Sequence, residues 1–472
     1  MTTNPDSHIL TLRDAPEVCL PIVIVGAGAC GLTAALAARD TGADVLVLER
    51  DPVPRGSTAM SSGLIPAAGS RWQQSLDIAD SASLMVSDIQ HKNHHQADPE
   101  IVELCAQRSA KTLHWLADQH GLTFSLVTGF LYPGHSVMRM HGTPSRTGEE
   151  LMGALTNAVE NAGIDLLCDA RAQQLLVSDA GRLCGVRIQR PDGSTEDIGC
   201  KALILASSGF GGNADLVQQF IPDMMNAVYH GHTGNQGDAI LWGNELNAQT
   251  ADLGAYQGHG SVAWPLQTLI TWSVMMMGGV QVNLNAQRFS NEHDGYSEQA
   301  RRVLQQPDGL AWNIFDQRIH DATLAFDDYR QAWQAGAVIQ ADSVSELARL
   351  TKLDADALQQ TLTQTQSLCE QNAMDQTGRQ FTTEQILRPP FYAVKVTGAL
   401  FHTQGGLVVN THAQVLDTKG NPIPGLYAGG GAARGVSGAG DTGYLSGNGL
   451  LAAVMLGATA GENAAKDVLN MA

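Results

Sequence analysis

Residues 21–25, PIVIV, form a short continuous apolar run, and the next thirteen, GAGACGLTAALAA, change at once to helix-forming types after three glycines. That change of pattern specifies a strand, a tight turn and a helix in immediate succession. Gly26, Gly28 and Gly31 stand at the spacing G-x-G-x-x-G. The first permits the turn, the second lets a pyrophosphate approach the backbone, and the third lets helix and strand pack closely. From Ala29 the amides at the helix start face the phosphates, with the positive end of the helix dipole behind them. A second apolar run, ADVLVLER, ends on Glu49 and Arg50, with Glu49 lying 23 positions after Gly26. A carboxylate at the end of the second strand accepts hydrogen bonds from an adenosine ribose. The chain is thereby committed to a parallel sheet that holds a dinucleotide.

The residues after Glu49 distinguish between dinucleotides. RGSTAMSSGLIPAAGS is a small-residue loop rather than a further nicotinamide-type strand and helix. Around Gly63, its backbone amides and the hydroxyls of Ser57, Thr58 and Ser61 can press against a flat ring system, which suits an isoalloxazine and points to FAD. Far downstream, GLYAGGG with Gly430 and SGNGLLAAVMLG with Gly447, Asn448 and Leu450 supply a second helix N-terminus. Negative charge that develops at the pyrimidine end of a reduced flavin is stabilised there.

With 472 residues, 43% of them hydrophobic, the chain can bury a large core, and its length favours two domains or one domain with a large insertion. A net charge of −19 repels phosphate backbones, so neither nucleic acid nor an anionic membrane surface is an expected partner. The seven cysteines are scattered, without metal or redox-dithiol spacing, and read as reduced thiols of a cytoplasmic protein. No secretion signal is legible in MTTNPDSHILTLRDAPEV, and no apolar run is long enough to cross a bilayer, so no membrane insertion is expected. The histidine-rich string HKNHHQ (91–96) lacks cysteine or acidic ligands at set spacing and reads as a solvated helix end; no metal is expected.

The segments IDLLCD, AQQLLVSD, GRLCGVRIQRPDG and KALILAS read as an antiparallel ribbon that rejoins the parallel sheet at Ala202–Ala206. From about Gly254 to Gln380 polar helices dominate, and GLVVN and GLYAGGG then return to the nucleotide. The expected architecture is α/β: a Rossmann-like FAD-binding domain, its parallel sheet carrying an antiparallel ribbon, plus an inserted α+β cap domain. Residues 1–253 form the first part of the FAD-binding domain, 254–401 the substrate or cap domain, and 402–472 the second part.

Taken together, GAGACG, ER, GSTAMSSG, SSGFGGN, TGNQGDAI, RFSNE, PPFYA, HTQGGLVVN and PGLYAGG resemble the fumarate reductase and succinate dehydrogenase flavoprotein superfamily over nearly the whole chain. The resemblance implies that Ala172, Ser208, Gly209, Asn213 and Asp238 also serve the cofactor. It further implies hydride exchange between flavin and a carbon–carbon bond beside a carbonyl. No counterpart of the histidine that tethers FAD in membrane-complex relatives stands in RGSTAMSSG, so the flavin is expected to be noncovalent. His259 in YQGHG and His402 in HTQGG match the histidines of soluble fumarate reductases. Trp272 stands in place of a glutamate, Tyr296 in place of the proton-delivering arginine, and the last loop, GVSGAGDTGYLSGNG, has no carboxylate-clamping arginine; Arg434 lies several residues earlier.

Dicarboxylates need guanidinium forks. Their loss favours an uncharged or singly charged carbonyl substrate, and Tyr296 with the pair Tyr444 and Ser446 resembles the 3-ketosteroid dehydrogenases that introduce a 4-position double bond. This implies desaturation of a cyclic or steroid-like ketone: Tyr444 takes the α-proton, Ser446 relays it to solvent, Tyr296 lowers the cost of the phenolate, and His259 and His402 line the pocket. An unperturbed tyrosine titrates near pH 10, so a downward shift of about two to three units, or concerted transfer, is required. Two other readings compete: a reductase of an activated double bond running the same chemistry backwards, and a flavin-binding protein without turnover. Electrons are expected to leave to oxygen, a quinone or a carrier protein. Tyr132 in GFLYPGHS fits either the pocket rim or a loop anchor, and WSVMMMGG reads as core and pocket wall.

Overall fold

The computed structural model describes residues 7–471. The strand Val18–Val25 lies centrally in a nine-stranded sheet, parallel to Val45–Leu48 on one side and to the end of the long strand Thr195–Leu205 on the other. Helix Ala29–Thr41 follows after Gly28, whose backbone is extended and supplies no side-chain cap; Thr58 Oγ1 takes the Ala29 amide, and the amides that follow it are left for a ligand. Gly42, at φ +104°, closes the other end. A Cβ on Gly31 would stand 1.8 Å from the Gly26 carbonyl oxygen, so helix and turn meet backbone to backbone.

One expectation about the ribbon needs correction. Asp165–Leu167 does not belong to the antiparallel ribbon; it is the outer parallel strand beside Val45–Leu48. The ribbon consists of Arg171–Ser178, Leu183–Gln189 and the first half of Thr195–Leu205, whose second half is parallel to both Val18–Val25 and the returning strand Pro422–Ala428. One strand thus carries the ribbon and joins the distant halves of the nucleotide-binding domain.

The second sheet has six strands gathered on Phe391–Thr403. Tyr256–Ala263, Leu310–Asp316 and Val338–Ala341 pair with it antiparallel. Val228–Tyr229 pairs parallel to Ala399–Leu400, which brings the cap sheet back to residues ahead of position 254. The passage between the two bodies is itself paired, Thr250–Ala251 against Gly406–Leu407. The chain therefore enters and leaves the cap through one two-stranded neck. The string HKNHHQ is more than a solvated helix end. His91, His94 and His95 are exposed, but Asn93 is buried and donates to the Val436 carbonyl at 3.1 Å, and Lys92 pairs with Glu298 of the cap.

The contact at Gly31 generates a stability prediction. Gly31→Ala is expected to cost about 2 kcal/mol or more, because the added methyl must displace backbone. Gly153→Ala, on the exposed face of helix Gly148–Asn161 with nothing within 4 Å, is expected to be neutral or stabilising by up to about 1 kcal/mol. Denaturant unfolding of the two variants checks this; equal midpoints would show that the turn yields.

Candidate active site

Three adjoining spaces run through the molecule. The first, about 850 Å³, is the nucleotide cleft. Gly26, Gly28, Ala29, Glu49, Arg50, Ser57, Thr58, Ala172, Ser208, Asp238 and Gly430 all line it. Glu49 is buried, its Oε2 accepting the Ala27 amide at 3.0 Å and its Oε1 the Asp51 amide at 3.0 Å. Burial raises its pKa, while those two amides act the other way. Arg50 donates to the Gly234 carbonyl at 2.8 Å, and Thr58 Oγ1 accepts the Ala29 amide at 3.2 Å. Ser207 Oγ, buried on the same wall, has no partner among the described residues. Uncapped helix amides, a fixed carboxylate and an orphaned hydroxyl around one elongated cleft fit an adenine dinucleotide.

The second space, about 590 Å³, shares Ser57, Thr58, Ser208, Gly430, Gly431 and Ala453 with the first, and adds Ser61, His402, Gly449 and Leu450. Here the C-terminal helix Asn448–Asn470 begins after Gly447 at φ +86°, again without a side-chain cap. Gly449 must be glycine, because a Cβ would stand 2.6 Å from the His402 ring. A flat ring system fits between these amides and the small-residue loop.

The third space, about 970 Å³, lies under the cap. Strand Tyr256–Ala263 brings His259, and its partner Phe391–Thr403 brings His402, with Gln257 opposite His402 in register. Tyr296 is the first residue of helix Tyr296–Leu304, and Tyr444 and Ser446 come from the loop before the C-terminal helix. The five residues expected to be catalytic all line this cavity, with Trp272, Phe401 and Tyr132, which sequence alone left between rim and anchor.

His259 stacks on Tyr296 with ring centres 4.8 Å apart, and Tyr296 meets Tyr444 edge-on at 6.0 Å. Tyr444 and Ser446 stand beside Tyr296, near enough for their hydroxyls to offset part of the effect of burial on its acidity. Burial lowers His259 to about 3 and His402 to about 4, so both rings are neutral at physiological pH. His259 Nδ1 accepts the Ser261 amide at 3.2 Å, which leaves its proton on Nε2. His402 Nδ1 accepts from Gln404 at 2.7 Å, and Gln404 in turn accepts from Ser437 at 3.0 Å.

Of the two routes open to Tyr444, a downward shift or concerted transfer, its surroundings oppose the first. Burial drives its pKa well above 10, Tyr296 adds to the rise, and the amides of Gly449 and Gly447 offset only part of it. Tyr296 is pushed up to about 12, again by burial. Ser446 is 3% exposed and meets Tyr296 rather than solvent, so it does not form an outlet by itself.

Five residues expected at the cofactor do not reach it. Gly31 packs the helix on the turn, Gly63 lies against the Thr147 carbonyl, and Gly209 lies against Thr403. Asn213 caps helix Ala214–Phe220, and Asn448 is buried with its amide donating to Ser437 at 3.1 Å. Each sits one step behind the cleft, where small size or a cap shapes the wall. His232, Asn235 and Trp242 line the nucleotide cleft and were missed, Asn235 although it stands in TGNQGDAI and the other two because no motif names them. A buried residue further back was missed too: His135 donates from Nε2 to the Ser446 carbonyl at 2.9 Å and so holds the Tyr444 loop.

Among the described residues no lysine or arginine lines the third space. Arg434 is engaged elsewhere, with Asp252 at 2.6 Å and Asp98 at 3.3 Å. Trp272 presents an indole, its Nε1 donating to the Glu292 carbonyl at 3.2 Å, and Glu292 is consumed by Arg288 and Arg379. The group of three His, Cys, Asp or Glu residues that would hold a metal ion is absent among the described residues, and no helix there is long and apolar enough to cross a membrane.

Comparison with known proteins agrees with this geometry. A family model described as FAD binding domain matches residues 21–450. A probable fumarate reductase, Ifc3, of Shewanella frigidimarina (strain NCIMB 400) is 29% identical, covering 96% of this chain and 76% of that protein. The open conformation of a flavocytochrome c3 fumarate reductase superposes with a TM-score of 0.81 at 28% identity, over 96% of this chain and 79% of the other. The 3-ketosteroid-delta4-(5alpha)-dehydrogenase of Rhodococcus jostii RHA1, in complex with 4-androstene-3,17-dione, superposes with a TM-score of 0.78 at 25% identity, over 97% and 100%. With FAD as its cofactor, the chain belongs to the fumarate reductase and succinate dehydrogenase flavoprotein superfamily, as an oxidoreductase that acts on carbon–carbon bonds.

Proposed function

We propose that the protein catalyses α,β-dehydrogenation of an uncharged cyclic or steroid-like ketone to the enone. The observation that carries this reading is the composition of the third cavity: two tyrosines and a serine grouped on one wall, and no cation among the described residues that line it. A dicarboxylate there would lose its hydration without gaining a guanidinium, whereas a ketone needs only polarisation of its oxygen. The likeness to a ketosteroid dehydrogenase supports the same assignment.

Bound noncovalently, FAD would supply the two-electron chemistry, taking hydride from the β-carbon, with oxygen, a quinone or a carrier protein as the electron acceptor. Ser57, Ser61 and the start of the C-terminal helix would hold the ring against the floor of the cavity. The positive end of that helix polarises the ketone oxygen and thereby acidifies the α-carbon. Tyr444 takes the α-proton on its phenol oxygen while its own proton passes by way of Tyr296 and Ser446 to water in the cavity, which carries it out. Since both phenols titrate far above neutrality, no free phenolate is held in waiting, and the transfer is concerted along the chain of hydroxyls. His259 and His402, neutral and fixed by Ser261 and Gln404, orient the substrate and carry no proton load.

A second reading, reduction of an uncharged activated double bond, draws on the fumarate reductase name of the relative. Anaerobic mixing separates the two. A saturated ketone, from cyclohexanone to a 3-ketosteroid, is expected to bleach the flavin band, and Tyr444→Phe to slow that bleaching by a factor of roughly 10² to 10⁴. Bleaching by no ketone, with rapid reoxidation of dye-reduced enzyme by an enone, would replace dehydrogenation by reduction.

The pH profile follows from the same groups. With His259 and His402 titrating near 3 and 4 and Tyr296 near 12, the bleaching rate is expected to have no inflection between about pH 5 and pH 8. An inflection near pH 6.5 that disappears in His259→Gln would make that histidine a proton carrier.

A further inference from the structure

The substrate cavity has two distinct ends. At one, His402 and Leu450 are shared with the ring cleft. At the other, Met60, Phe326 and Asp328 are shared with a polar vestibule of about 1050 Å³ between the cap and the small-residue loop. Among the described residues Asp328 is the one carboxylate on the cavity wall. It lies in the first turn of helix Asp327–Gln334, where its neighbour Asp327 is taken up by Arg330. Asp328 itself has neither a hydrogen bond nor an ion pair with any described residue. Burial alone acts on its acidity, raising it, with no cation or donor close enough to offset the effect.

A half-buried carboxyl beside a phenylalanine, without a protein partner, is an acceptor open to whatever enters the cavity with a donor to offer. We propose that Asp328 determines specificity by accepting a hydrogen bond from a hydroxyl or ammonium group that the substrate carries at the end remote from its carbonyl. The inference rests on the dehydrogenase reading, which places the carbonyl at the Tyr444 end and hence the far end of the substrate at Asp328. The preferred substrate is then a ketone with a distal donor rather than a plain hydrocarbon ring.

The test pairs ligands that differ only at the far end: 4-hydroxycyclohexanone, 4-aminocyclohexanone and 4-methylcyclohexanone, and a 3-ketosteroid with a hydroxyl or a methyl at carbon 17. In the FAD-loaded protein, Asp328→Asn is expected to raise KM for the donor-bearing member of the better-used pair by about tenfold, the usual value of a hydrogen bond to a charged group, with kcat within about twofold. The methyl-bearing partner is expected to keep its KM. Equal losses for both members, or a fall in kcat alone, would make Asp328 a support of the cap and overturn the proposal, as would no change for either. Should the wild-type protein oxidise none of these ketones, the dehydrogenase reading fails. Asp328 is then judged separately by titrating the oxidised holoenzyme with the same pairs and reading the perturbation of the flavin band. A preference for the donor-bearing ligand that Asp328→Asn abolishes sustains the proposal, and indifference to the donor ends it.

Discussion

Everything at the active site depends on how closely two helices approach each other. Helix Ala29–Thr41 and the C-terminal helix Asn448–Asn470 meet through their smallest residues. A Cβ on Gly457 would stand 2.4 Å from the Cys30 carbonyl oxygen, and one on Gly461 would stand 2.0 Å from that of Ala34. Residue numbers rise together along the contact, so the helices run parallel and their N-termini lie at the same end of the molecule. Neither terminus has a side-chain cap. The outcome is a pair of positive helix ends a short distance apart, one at the pyrophosphate cleft and one at the ring cleft. Larger residues at the contact would part the helices and separate the two halves of the cofactor site.

The cap has different physics. Its sheet is held by the long strand Phe391–Thr403, and it is joined to the other body by the paired neck Thr250–Ala251 and Gly406–Leu407 and by ion pairs such as Lys92 with Glu298 and Arg301 with Asp441. Polar links of this kind hold two bodies in register without fusing their cores. They also bring side chains from four distant stretches, at 259, 296, 402 and 444, onto one cavity wall. Where the resemblance to fumarate reductases implies charged groups, this wall has an indole and a phenol, and on the proposed reading the same scaffold takes a neutral ligand.

Legibility in the sequence followed the range of the interactions. The glycine turn, Glu49 and the small-residue loop were readable because each acts through local backbone geometry. The tyrosines and histidines of the cavity were readable only through resemblance, since nothing local to Tyr296 says that it faces Tyr444. Asp165–Leu167 was misplaced because a three-residue strand with two leucines looks the same in a ribbon and at the edge of a parallel sheet. Val228–Tyr229 was missed as part of the cap because its partner lies about 170 residues away. Asn213 and Asn448 were given to the cofactor on their glycine-rich neighbourhoods, although Asn213 caps a helix and Asn448 donates to the Ser437 hydroxyl one step behind the cleft. His135 and Asp328 carry no motif, and only burial and partner geometry single them out.

The acidity of the two phenols shows most clearly what sequence reasoning cannot supply. From the chain alone, a tyrosine that acts as a base must be shifted downward, and a second tyrosine is the natural agent. Burial produces the opposite shift: no cation lies near enough to repay the desolvation of a phenolate, so each ring oxygen favours its proton. A wall that rejects carboxylates by lacking arginines is therefore also a wall that cannot hold a free phenolate. Both properties come from the same missing charges. Proton removal in such a place is feasible only if charge never accumulates on one oxygen, which requires hydroxyls already in contact and a carbonyl oxygen already polarised by the helix amides. The contact between Tyr444, Tyr296 and Ser446 is then not incidental packing but the condition under which a neutral cavity can acidify a carbon.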